Sequence, residues 1–197
     1  MLNPLPVLEW STDKQCYLSD LARAGVPVVP TAFVAPGTGL EPQDGPFVVK
    51  PAISAGGRSS ALFRADEADE ARALLARIHG EGRTAMVQPY LGDRYEKALV
   101  YLDGDYSHAV RRHVPLPAAG ERDVLYLDEE VGPTAATPRE RAIAEAALAC
   151  APASLLYGRV DLMGEAVLEL ELAEPSLYLA HGERAANGFA EAIARRL

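Results

Sequence analysis

Apolar and polar residues alternate strictly across 168–172, so Glu169 and Glu171 share one face of a half-buried strand. Gly164 predicts a turn that folds this strand back beside 159–163 and brings Asp161 near both glutamates. Ahead of it, Thr137-Pro138-Arg139-Glu140 reads as a capping box with proline at the first helical position, opening a helix to about Cys150. A hairpin of 98–102 and 106–111 is expected around the turn pair Asp103-Gly104. In the first half, Thr12 is expected to cap a helix reaching about Ala24, with Gly25 as its stop. A proline-interrupted strand follows over 26–33, then a Pro/Gly-rich loop over 35–45. The apolar run 47–49 ends on Lys50, and a further strand lies near 61–64. Asp66 is the expected cap of a helix whose stripe is Ala68, Ala71, Leu74, Leu75 and Ile78. A strand over 84–88 completes this lobe. A loop over 115–122 is expected as a flap, and 182–197 as a C-terminal helix. There are no internal repeats.

The 197 residues suit one domain, or two small lobes sharing a cleft. Hydrophobic content of 49% and a charged fraction of 24% are those of a soluble globular protein. A net charge of −9 argues against a nucleic-acid partner, which needs a basic face. Cys16 and Cys150 match no metal or redox spacing, so reduced, partly buried thiols of a cytoplasmic protein are expected. The opening Met-Leu-Asn-Pro-Leu-Pro lacks the basic and apolar regions of a signal peptide. No apolar stretch is long enough to span a bilayer. His79, His108, His113 and His181 have no ligand-like spacing, and solvated or locally hydrogen-bonded rings are expected.

Three carboxylates converging on one sheet face repel unless a cation sits among them, and Mg²⁺ shared with nucleotide phosphates is the common solution. For an isolated stretch of this kind, a solvated strand face is the competing reading. Lys50 changes the balance because a small-residue loop with Ser54, Gly56, Gly57, Arg58 and Ser59 follows it directly. Glycines let the backbone approach a ligand, and serine and backbone N–H groups can cradle phosphate. The lysine precedes the glycines, so this is no Walker A loop. A flexible hairpin tip is the alternative for the loop alone.

Taken in order, Thr12-Asp13-Lys14, Val48-Val49-Lys50-Pro51, Met86-Val87-Gln88-Pro89-Tyr90-Leu91, Glu96, Arg159-Val160-Asp161 and Glu169-Leu170-Glu171 resemble the carboxylate–amine ligase branch of the ATP-grasp superfamily. Tyr106-Ser107-His108-Ala109-Val110-Arg111 and Leu170-Glu171-Leu172-Ala173-Glu174-Pro175-Ser176 are similar to its actinobacterial, cycloserine-biosynthesis type. The resemblance covers nearly the whole chain. It implies an α+β fold in which two α/β lobes with antiparallel sheets sandwich ATP. The corresponding divisions are an N-terminal segment and lysine helix over 1–34, a phosphate-loop lobe over 35–91 and a metal-binding lobe over 92–197. Lys14 and Lys50 would contact the α- and β-phosphates, and 54–60 would close over the β- and γ-phosphates. Gln88 and the main chain of Tyr90 and Leu91 would hold adenine, and Glu96 the ribose. Asp161, Glu169 and Glu171 would hold Mg²⁺.

The implied activity is ATP-dependent activation of a small carboxylate as an acyl phosphate, attacked by an amine or similar nucleophile in amino-acid-derived natural product biosynthesis. Arg111 and Arg159 are the candidate catalytic residues. Arg112 competes with Arg111, because a strand turns only one of two neighbours to a given face. Glu171 stands where many ligases have asparagine, and the segment 92–96 is short. An N-terminal α/β domain usual in the superfamily is expected to be absent. That opens a second reading, a catalytically incomplete nucleotide-binding subunit completed by a partner protein. A plain acidic α/β domain is the third. The apolar Leu2, Leu5, Val7, Leu8 and Trp10 are expected to dock on a second copy or a separate protein, with folding back on their own chain as the alternative. Neutralising Asp161 or Glu169 is expected to relieve repulsion and leave the fold intact.

Overall fold

The computed structural model describes residues 2–54, 59–92, 95–113 and 129–196. The chain opens with helix α1 (Leu5–Thr12), which the sequence pattern did not predict, and α2 (Lys14–Arg23). Thr12 ends α1, its hydroxyl donating to the Leu8 carbonyl at 2.6 Å. Asp13 is therefore the cap of α2, its carboxylate accepting the Gln15 N–H at 2.8 Å. Gly25 stops the helix at φ +80, a conformation glycine adopts without steric cost. Asn3 is buried, donating to the carbonyls of Tyr157 and Leu172 at 2.9 and 2.8 Å and accepting the Leu156 N–H at 2.8 Å. With Val7 also buried, the N-terminal segment folds onto its own chain, while Leu2 and Leu5 stay exposed. Cys16 is exposed, not partly buried, and Cys150 is half-buried.

The strand expected over 26–33 is reduced to β1 (Ala32–Val34). Before it, residues 27–29 run along a strand described below: the Val167 N–H donates to the Pro27 carbonyl at 2.8 Å, and the Val29 N–H to the Val167 carbonyl at 2.9 Å. Next come β2 (Phe47–Pro51), β3 (Ala61–Phe63), α3 (Ala68–Gly80) and β4 (Ala85–Pro89). Their antiparallel sheet has the order β1-β4-β2-β3. Val34, Phe47, Val49, Phe63 and Val87 pack with Ala71, Leu74, Leu75 and Ile78, so the predicted apolar stripe is the core-facing side of α3. Asp66 does not cap it; Glu67 holds that position, and both carboxylates bond Arg64. Alternation leaves Val48 and Lys50 on the opposite face, in register with Gln88 and Met86.

The second sheet comprises β5 (Glu96–Leu102), β6 (Asp105–His113), β7 (Glu130–Thr134), β8 (Tyr157–Met163) and β9 (Ala166–Glu171). Its order is β7-β6-β5-β8-β9, all antiparallel. Asp103 and Gly104 both have positive φ, +53 and +90, which matches the right-handed twist of the β5–β6 hairpin. β7 was not predicted; it carries Pro133, admissible on an edge strand. Helix α4 (Pro138–Leu148) opens with the expected capping box. Thr137 Oγ accepts the Glu140 N–H at 3.1 Å, and the Glu140 carboxylate accepts the Thr137 N–H at 2.7 Å. Ile143, Ala144 and Ala147 turn α4's buried face toward β8 and β9. After a short 3₁₀ turn at Leu179–His181, α5 (Ala185–Ala194) follows, and Arg195 and Arg196 both reach the Asp103 carboxylate at 2.8 Å.

Residues 2–29, 95–113 and 130–196 form one compact unit, and residues 30–92 form another. The lysine helix thus belongs with the acidic hairpin and not to a separate N-terminal segment. No helix among the described residues is long and apolar enough to cross a membrane.

Candidate functional site

The register of the second sheet assembles its polar face. Glu171 stands opposite Arg159 and Glu169 opposite Asp161, while β5 places Glu96 opposite Arg112. Since Val100 and Ala98 of β5 pair with Arg159 and Asp161, these six charged residues share one side of the sheet, with α4 covering the other. Two carboxylates directly opposite one another, as Glu169 and Asp161 are, repel in isolation. Here each has a cation. Arg159 gives Asp161 a two-bond fork, Nε to one oxygen at 2.8 Å and Nη2 to the other at 2.9 Å, and reaches Glu171 at 2.8 Å. Lys14, buried at the start of α2, pairs with Glu169 at 3.0 Å.

Strand parity puts the two neighbouring arginines on opposite faces. Arg112 lies on the acidic face, bonding Glu96 at 2.8 Å and approaching Asp161 at 3.7 Å. Arg111, the expected catalytic residue, turns to the other face. It is exposed, with its guanidinium 4.9 Å from the Tyr95 ring centroid. Tyr178 is a residue the sequence did not single out. It sits at φ +48, a costly conformation for a side chain of its size, its ring 5.5 Å from the Arg159 guanidinium and its hydroxyl 3.3 Å from Arg112. The Ser176 carbonyl accepts from Arg159 at 3.2 Å, and Leu177 accepts from the buried His108 ring at 3.1 Å. His108 is accordingly neither solvated nor spare.

Among the described residues, four carboxylates (Glu96, Asp161, Glu169, Glu171) face three cations (Lys14, Arg112, Arg159), leaving one surplus negative charge. Burial pushes the Glu171 carboxyl up to about 7, opposed by Arg159 and reinforced by Glu169 and Asp161. Burial likewise raises Glu96, against Arg112 and with Asp161. Both arginines are held above their ordinary range by their carboxylate neighbours despite burial, so they stay charged. The expected trio is not a preassembled metal cluster. Among the described residues no three His, Cys, Asp or Glu side chains converge as one, and Arg159 bonds both oxygens of Asp161. The donor chemistry nevertheless fits a hard divalent cation, being all oxygen with a surplus charge that now holds a proton near neutrality on Glu171.

In the other unit, Lys50 is the half-buried penultimate residue of β2, and Ser54 Oγ donates to the Pro51 carbonyl at 3.3 Å. Ser59 has φ +57. Gly56, Gly57, Arg58 and the expected flap over 115–122 lie outside the described residues. Gln88 is buried and its amide donates to Thr31 at 2.9 Å. The Tyr90 N–H donates to the Pro46 carbonyl at 2.8 Å. Leu91 is exposed.

No protein-family model matches the chain. It is 38% identical over 221 aligned residues to the cycloserine biosynthesis protein DcsG of Streptomyces lavendulae, covering 100% of this chain and 73% of that protein. A crystal structure of D-cycloserine synthetase DcsG matches with a TM-score of 0.85 at 35% identity, over 99% of this chain and 73% of the other. D-alanine–D-alanine ligase from Bacillus anthracis, complexed with ATP, matches at 0.69 and 18% identity over 97% of this chain and 67% of its own. The ATP-grasp ligase PsnB, complexed with a precursor variant, Mg and ADP, matches at 0.68 and 18% over 100% and 62%. These last two share the α+β fold. With the whole chain aligned to DcsG at this identity, the protein belongs to the cycloserine-biosynthesis type of the ATP-grasp ligase superfamily.

Proposed function

We propose that the protein is an ATP- and Mg²⁺-dependent ligase joining a small carboxylate, such as an amino acid, to an amine or similar nucleophile in natural product biosynthesis. The observation that carries this reading is the pair Arg112 and Arg159, half-buried and buried respectively, both charged on one sheet face among four carboxylates. Substrate carboxylate oxygen attacks the γ-phosphorus, the bond from that phosphorus to the ADP oxygen breaks, and ADP leaves. The nucleophile then attacks the acyl carbon, inorganic phosphate departs, and the nucleophile's proton passes to solvent. Arg159 and Arg112 donate to the transferring phosphoryl oxygens and then to the oxyanion of the tetrahedral intermediate. Tyr178 holds both guanidinium groups in place. Lys14 and Lys50 contact phosphates as compact point charges. Glu96 keeps its bond to Arg112 and still has lone pairs for ribose hydroxyls. Glu169, Glu171 and Asp161 would hold Mg²⁺, which when bound offsets the charge of the triphosphate.

Calorimetry with a non-hydrolysable ATP analogue should show Mg²⁺-dependent binding that Lys50→Ala weakens severely. ADP release screened against amino acids, with and without candidate partner proteins, identifies the substrates. ADP release that appears only with a partner would favour the subunit reading, and none under any condition would overturn the ligase.

A further inference from the structure

Helix α2 grips the acidic strand at two points. Lys14, in its first turn, takes the Glu169 side chain at 3.0 Å. Three residues on, and so on the same helix face, the Tyr17 phenol oxygen accepts the Leu170 N–H at 3.3 Å. Leu170 lies between Glu169 and Glu171. Fixing its peptide therefore fixes the backbone from which both carboxylates project. β9 is the sheet's outermost strand, with β8 on one side only, so its backbone depends on such outside contacts for rigidity. Tyr17 is fully buried, and its ring is braced by the protein's single tryptophan, Trp10, at 6.0 Å between centroids.

We propose that Tyr17 is a positioning residue for divalent-cation binding: through the Leu170 amide it holds Glu169 and Glu171 in a common orientation toward the cation. This rests on the ligase reading, in which those glutamates hold Mg²⁺. Groups that orient metal-ligating side chains typically change metal affinity by about 10–100-fold when removed. Phenylalanine keeps the ring and deletes only the acceptor.

The test is calorimetric titration of ADP into the full chain at stepped Mg²⁺ concentrations, with melting temperature as a parallel readout. For Tyr17→Phe, the Mg²⁺ concentration giving half-maximal ADP binding should rise by about 10-fold or more, with ADP affinity recovering at saturating Mg²⁺. Tyr101→Phe is the comparison. Tyr101 is also buried, but its hydroxyl donates to the Arg141 carbonyl at 3.3 Å, away from the acidic face. This variant should keep the wild-type Mg²⁺ midpoint even if it melts earlier. An unchanged midpoint in Tyr17→Phe, or equal shifts in both variants, overturns the positioning role and leaves the ligase reading intact. Wild-type protein that binds no nucleotide in a Mg²⁺-dependent way overturns the ligase reading and the role together. Should Tyr17→Phe fold poorly, 3-fluorotyrosine placed at Tyr17 weakens the acceptor and keeps the ring; an unchanged midpoint there overturns the role equally.

Discussion

Arg159 and Asp161, two positions apart on one strand, close a two-bond fork on each other at 2.8 and 2.9 Å, with Asp161 fully buried. Asp161 is thus no unpaired like charge awaiting relief, and the expectation that neutralising it leaves the fold intact is reversed. Losing the fork removes charge-assisted hydrogen bonds worth about 1.5–3 kcal/mol, while Arg159 keeps its ion pair with Glu171. Asp161→Asn should lower stability by that order in urea unfolding. Glu169→Gln should cost less, because Glu169 is partly exposed.

Glu171 gives the unliganded protein a pH dependence of defined sign. Its carboxyl is raised from 4.5 to about 7 by burial, so the folded state holds a proton that the unfolded chain has already released. The stability this confers is complete below the ordinary value and is lost as pH climbs through about 7. Burial lowers His108, which acts oppositely: its contribution is present above the ordinary histidine value and is lost as pH falls. The informative quantity is therefore a difference. Melting temperatures of Glu171→Gln minus wild type should grow more positive from pH 5 to pH 8. A flat difference would remove Glu171 as a titrating group.

The two neighbouring arginines should separate in kinetics. Arg112→Lys keeps a charge beside Glu96 but loses the planar fork, and ADP formation should fall by about 10²–10³. Arg111→Ala, on the opposite face beside Tyr95, should stay close to wild type. Comparable losses in both would mean that strand parity does not select the donor.

Reassigning the cap of α2 also has a measurable outcome. Asp13→Ala removes the acceptor of the Gln15 N–H and should cost about 1 kcal/mol. Thr12→Ala, which ends α1, should remain within about 0.5 kcal/mol. Paired thermal unfolding curves decide between them.

What the sequence discloses here depends on how local the cause is. The Asp103-Gly104 turn and the Thr137–Glu140 box were legible because each is complete within four residues. The shared face of Asp161, Glu169 and Glu171 followed from a period of two. The same period put Arg159 beside Asp161, and their pairing was a legible signal that went unread. Arg111 and Arg112 could not be separated from sequence, since their facing depends on the pairing of Arg112 with Glu96 across the sheet. Helix α1 escaped because Leu-Pro-Val-Leu-Glu-Trp-Ser-Thr has no polar stripe and no acidic first turn. Its proline in the first turn was the available clue. Tyr17 and Tyr178 act across 153 and 66 residues of chain, beyond the reach of any motif.

The backbone bonds from Pro27 and Val29 to Val167 have a consequence for assembly. An outer strand with free amides and carbonyls invites a visiting strand, the route by which sheets merge between molecules. On β9 the Val167 amide and carbonyl are already taken by residues 27–29 of the same chain, and the Leu170 amide by Tyr17. At the far margin, Pro133 gives β7 a position with no amide hydrogen to offer. Both margins of this five-stranded sheet thereby offer a visiting strand fewer free backbone groups.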